Sequence, residues 1–98
     1  MVGEIRMGEE QAEKVAINAL AWLANNDDLM PVFLGATGSS AEDLRAQASD
    51  PAFLISVLDF LLMDDAWVVA FCDSEALAYD MPMRARHALP GGGEVHWT

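Results

Sequence analysis

Basic residues are scarce in this chain. Five Lys and Arg stand against sixteen Asp and Glu, a formal net charge of -11. That balance argues against nucleic acid as a partner, because phosphate contacts need clustered cations. Arg84 and Arg86 lie close in sequence, but two charges do not make a groove-binding surface. Cysteine is nearly missing too. Cys72 alone cannot close an internal disulfide, which fits a reducing cytoplasm. No apolar run approaches ~18 residues, so no membrane span is expected. The opening Met1-Val2-Gly3-Glu4-Ile5-Arg6 carries no apolar stretch of the signal-peptide kind, so no secretory leader is expected.

Ligand sets for chemistry are thin as well. Cys72, His87 and His96 are the only sulfur and imidazole donors suited to a metal, and no CxxC, HxxxH or HExxH spacing joins them. The adjacent pairs Asp27-Asp28 and Asp64-Asp65 diverge around a helix start, and no DxDxDG loop is present. Gly35-Ala36-Thr37-Gly38-Ser39-Ser40 looks like a phosphate loop only superficially, since it lacks the Lys and a preceding strand. It reads as a turn between helices, with Gly38 supplying a positive φ. Cys72 sits in an apolar stretch, where a thiol is an inert packing group more often than a nucleophile with His87 as its base. No metal, cofactor or catalytic residue is expected.

Apolar side chains, by contrast, are abundant at 53% of the 98 residues. Strand-like alternation is absent and helix punctuation recurs. A first helix is expected over 8–25, with Ala12, Val15, Ala16, Ala19, Trp22 and Leu23 on one stripe. A short one follows over 29–34, capped by Asp27 or Asp28 and stopped at Gly35. Ser40 opens the next through a capping box with Asp43. Asp50-Pro51 starts a helix to about Met63 that is apolar around most of its circumference and therefore central. Its weaker face is Ala52, Ser56, Asp59 and Met63. Asp64-Asp65 starts another over 66–76, with Trp67, Val68, Ala70, Phe71 and Cys72 as its buried set. Asp80 caps a last helix over 81–89. The fold class expected is all-α: a compact bundle of about five to six short helices in orthogonal packing. Residues 1–90 form one domain and 91–98 a glycine-rich tail.

The acids have two readings. Ten of the sixteen fall at expected helix starts, where caps and the helix dipole favour them. Yet seven, from Asp50 to Asp80, lie between Ala46 and Met83 with no Lys or Arg among them. Such a run also makes an electronegative face for a basic partner. Trp97, after three glycines, either folds back on its own domain or docks on another chain. Met30, Met63, Met81 and Met83 fill gaps in a tight core or form an adaptable apolar surface.

Several segments together resemble a family of short uncharacterised alphaproteobacterial proteins, a domain of unknown function. They are Phe33-Leu34-Gly35-Ala36-Thr37-Gly38, Asp43-Leu44-Arg45 with Ala48, Pro51-Ala52-Phe53-Leu54, Val57-Leu58-Asp59-Phe60-Leu61, and Ala70-Phe71. The resemblance runs from the Ala19-Leu20 region to Leu89 and leaves out the tail. It implies a small all-helical cytoplasmic bacterial protein and brings no activity, cofactor or catalytic residue. It singles out Thr37-Gly38, Arg45 and Asp59. Arg45 is the only base between Lys14 and Arg84, and Asp59 is a candidate partner for it.

The functional expectation is a non-enzymatic interaction module that binds another protein, one with a basic or apolar surface. Its candidate contact residues are Asp59, Met63, Asp64, Asp65, Asp73 and Trp97. The alternatives are a homodimer using the tail or a Met-rich face, and a ligand binder or enzyme with a pocket between the central helices.

Overall fold

A computed structural model describes residues 8–89. The chain is all-α. Six helices follow one another: α1 (Glu9–Ala24), α2 (Met30–Thr37), α3 (Ala41–Gln47), α4 (Pro51–Leu61), α5 (Asp65–Glu75) and α6 (Met81–Ala88), with no strand among the described residues. The glycine-rich tail and Trp97 lie outside the described residues.

Packing centres on α1, α4 and α6, which touch one another pairwise. α1 contributes Ala12, Val15, Ala16, Ala19, Leu20 and Leu23 as one buried stripe. Ala12, Ala16 and Ala19 of that stripe are fully covered, as is Ala85 of α6, so small side chains let these axes lie close. α4 buries Phe53, Leu54, Val57, Leu58, Phe60 and Leu61, and its expected weak face, Ala52 and Asp59 with Met63 beyond the helix end, is exposed. An aromatic chain binds the outer helices to this centre. Phe33 of α2 packs edge-on against Phe60 at 5.2 Å and Phe53 at 6.0 Å. Trp67 of α5 stacks on Phe60 at 4.9 Å, and Phe71 meets Trp22 of α1 edge-on at 6.0 Å.

Capping explains most boundaries and corrects some. Ser40 and Asp43 form the expected reciprocal box: the Asp43 N–H donates to Ser40 Oγ at 3.3 Å and the Ser40 N–H to Asp43 Oδ2 at 3.2 Å. Asp50 Oδ1 accepts from the Ala52 N–H at 3.0 Å, and Asp64 Oδ1 from the Ala66 N–H at 2.8 Å. Among the described residues neither Asp27 nor Asp28 makes a capping bond. Asn26 does that work, its Oδ1 accepting from the Asp28 and Leu29 N–H groups at 3.1 Å each. Asp80 makes no side-chain cap either, and its carboxylate lies 4.0 Å from Arg84 Nη1.

α2 runs through Gly35 to Thr37 instead of stopping at the first glycine. The Thr37 hydroxyl donates back to the Phe33 carbonyl at 2.9 Å, and the left-handed residue that ends the helix is Gly38, at φ 72°. Ala70, expected in the core, is exposed, and Trp67 is only partly buried. Phe71 and Cys72 are the fully covered positions of α5, so its buried seam is narrower than its composition suggests.

Candidate partner surface

The outer side of α5 leaves a row of apolar side chains uncovered between acids. Ala66, Val69 and Ala70 are exposed, with Asp73 one turn further on, and the spacing i, i+3, i+4, i+7 puts them on one face. Val69 is 38% exposed. Met63, in the turn that leads into the helix, is 73% exposed and leads the face at its N-terminal end. The inner side holds Val68, Phe71 and Cys72 against the core, and Trp67 stacks on Phe60, so the platform is fixed from below.

Acids flank this face. Asp65 is exposed in the first turn, and Asp73 and Glu75 are exposed towards the C-terminus. Asp65 and Asp73 are eight residues apart, ~12 Å along the axis. α5 carries no Lys or Arg. At the C-terminal end Tyr79, 56% exposed, donates its hydroxyl to Asp73 Oδ1 at 2.8 Å. That bond to a carboxylate, together with the charge itself, holds the Tyr79 phenol above its usual range.

Beneath Tyr79 lies a shallow hollow of about 230 Å³ lined by Cys72, Asp73, Ala76, Leu77, Ala78 and Tyr79. Its two side-chain donors, the Cys72 thiol and the Tyr79 hydroxyl, are already engaged within the corner. Cys72 donates its S–H to the Ala78 carbonyl at 3.4 Å, and no hydrogen bond joins it to His87 among the described residues. Burial pushes the thiol pKa up, and the charges of Asp73 and Asp80 push the same way. A thiol so placed is a poor nucleophile at neutral pH. A second hollow, about 380 Å³, is lined by Ala41, Glu42 and Arg45. No group of three or more His, Cys, Asp or Glu converges among the described residues, and no helix there is long and apolar enough to cross a membrane.

The expected contact residues therefore divide. Met63, Asp65 and Asp73 border the α5 face. Asp64 belongs to the backbone, as the cap of α5. Asp59 is exposed but pairs with Arg86 of α6 rather than with Arg45, because α4 packs against α6 and carries Asp59 to it. That pair ties two central helices together and takes Asp59 out of any unpaired acidic patch. Trp97 lies outside the described residues. Val69, Ala70 and Tyr79 were not among the expected contacts. The spacing of 66, 69, 70 and 73 was readable as a face, and Tyr79 as the only tyrosine. An apolar composition hides which side of such a helix is covered.

No curated protein matches the chain, and no solved structure does. A family model described as "Protein of unknown function (DUF3572)" matches residues 9–92, from the first turn of α1 into the tail, and so extends further at both ends than the segments quoted from the sequence. The six helices and the α5 face all fall within that match, and the chain belongs to this family of unknown function.

Proposed function

We propose that this is a non-enzymatic interaction module of the bacterial cytoplasm that docks another protein on the outer face of α5. One observation carries the reading: Ala66, Val69 and Ala70 stay exposed between Asp65 and Asp73 on a helix whose other side is anchored in the core. An apolar centre with a polar rim is the usual anatomy of a protein contact. The hollow beside Cys72 supports catalysis less well, since its thiol and phenol donate to groups of the same corner. A second copy of the chain also fits less well, because each would bring Asp65 and Asp73 to the same contact.

Affinity capture from host lysate with the wild-type chain and with Val69→Lys tests the reading. The expected result is a protein retained by the wild type and lost with Val69→Lys at an unchanged thermal midpoint. An identical set of retained proteins for both chains overturns it.

A further inference from the structure

We infer that the partner presents a basic amphipathic helix, which lies along α5 with a small apolar seam on Ala66, Val69 and Ala70 and an arginine seated on Asp73 beside the Tyr79 ring. The inference rests on the reading of α5 as the contact face and adds the chemistry of what covers it.

Shape gives the first argument. The four positions 66, 69, 70 and 73 span ~10 Å, two helical turns. Two alanines one turn apart with a single valine between them form a low ridge that a facing helix can approach to ~8–10 Å between axes. Partner helices dock on such faces through anchors at the same spacing.

Charge gives the second. From Gln47 to Pro82 the chain has seven acids and no Lys or Arg. Asp65 marks one end of the face and Asp73 the other, so complementarity requires cations on the partner. Like charge disfavours a second copy, whose net charge is also -11.

The Asp73–Tyr79 pair gives the third. Tyr79 occupies Asp73 Oδ1, and Oδ2 has no donor among the described residues. The hydroxyl bond also fixes the phenol ring beside the carboxylate. A guanidinium can donate to Oδ2 and lie against the ring at once, a combination that suits the planar arginine head group better than an ammonium. Tyr and Arg are also the side chains that most often dominate contact energy.

The test uses the full chain and a synthetic helical peptide of about 14 residues, ~21 Å long. Its alanine and leucine residues lie on one face and its arginines beside them, and a counterpart carries Glu at each Arg position. Binding is read by fluorescence anisotropy of the labelled peptides and by amide shifts of the nitrogen-labelled chain. The expected result is at least about tenfold tighter binding of the Arg peptide than of its Glu counterpart, with the largest shifts over 66–73. Val69→Lys and Asp73→Asn each weaken the Arg peptide by about tenfold, and Asp28→Asn, at an exposed acid in the turn between α1 and α2, leaves it unchanged. Equal weakening by Asp28→Asn and Asp73→Asn shows attraction to net charge alone and overturns the inference. Shifts centred elsewhere overturn it too, as does movement of the 66–73 amides with protein concentration in the absence of peptide. If the Arg peptide fails while Val69→Lys still removes a captured protein, the helix inference falls and the contact-face reading stands.

Discussion

α4 and α5 are consecutive helices of eleven residues each, opened by the same device, an aspartate that accepts from the N–H two positions on. Their fates differ. α4 buries six side chains and touches α1, α5 and α6, whereas α5 buries Val68, Phe71 and Cys72 and packs mainly on α4. α4 is the more apolar sequence, with one acid against three in α5, and the number of neighbours differs in the same sense. A helix with three neighbours is covered nearly all round, and one with a single main neighbour leaves its far side exposed. The exposed side of α5 is where the acids and Tyr79 collect, while the one acid exposed along α4, Asp59, is held by Arg86.

The sharpest way to break the comparison is to cut the anchor of α5. Phe71 is fully covered and meets Trp22 edge-on. Phe71→Ala is expected to cost about 3–5 kcal/mol in urea denaturation, as much as a core change in α4. Two positions away, Val69→Ala is expected to change stability by less than ~0.5 kcal/mol, because its side chain covers little. A Val69→Ala loss of several kcal/mol would show that the outer face is core after all.

Caps offer a finer contrast. Asp50→Ala and Asp64→Ala each remove one side-chain cap and are expected to cost about 1 kcal/mol, equally for the buried helix and the half-covered one. The helix ends differ more. α5 ends at Ala76 in the left-handed conformation, at φ 57°, where the Leu77 N–H reaches the Cys72 carbonyl at 2.9 Å. An alanine there costs about 1–2 kcal/mol, and glycine relieves that while adding unfolded-state entropy. Ala76→Gly is therefore expected to raise stability by a net ~0.5–1 kcal/mol in the same assay, and Gly38→Ala, at φ 72° after α2, to lower it by a similar amount. The opposite signs are the check.

Much of the fold was legible because helix starts are written locally. Ser40 with Asp43, Asp50-Pro51 and Asp64 announce three helices through side chains that reach only two or three residues ahead. Where rival signals sit side by side, local pattern does not choose between them. Two asparagines and two aspartates meet at 25–28, and Asn26 made the bonds assigned to an aspartate. Two glycines bracket Ala36-Thr37, and only Gly38 takes the left-handed angle. Tertiary facts were less accessible still. Arg86 rather than Arg45 holds Asp59 because α6 returns to pack on α4, a contact between residues 27 apart in sequence. Apolar neighbours in sequence place Ala70 in the core, and only the position of α4 shows that it faces out. The surface read here as functional was hidden by that same ambiguity.

The smallest effect concerns the polar end of the α5 face. Tyr79 is the only tyrosine, so the alkaline ultraviolet titration of tyrosinate reports it alone. Its hydroxyl donates to Asp73, first through the hydrogen bond and then through the negative charge favouring the protonated phenol, and the folded value lies above the ordinary one. The sign follows directly. A group that holds its proton more tightly when folded contributes all its stability below the unfolded pKa and loses it as pH rises through the folded one. The titration midpoint of the wild type is thus expected above ~10, the ordinary tyrosine value. Asp73→Ala removes acceptor and charge and lowers the midpoint towards that value, whereas Asp73→Asn keeps an acceptor oxygen and falls between. A wild-type midpoint equal to that of Asp73→Ala would mean that the phenol is not held on the carboxylate in solution. The end of the α5 face would then be as plain as the exposed side of α4, and the seat for a partner's arginine would go with it.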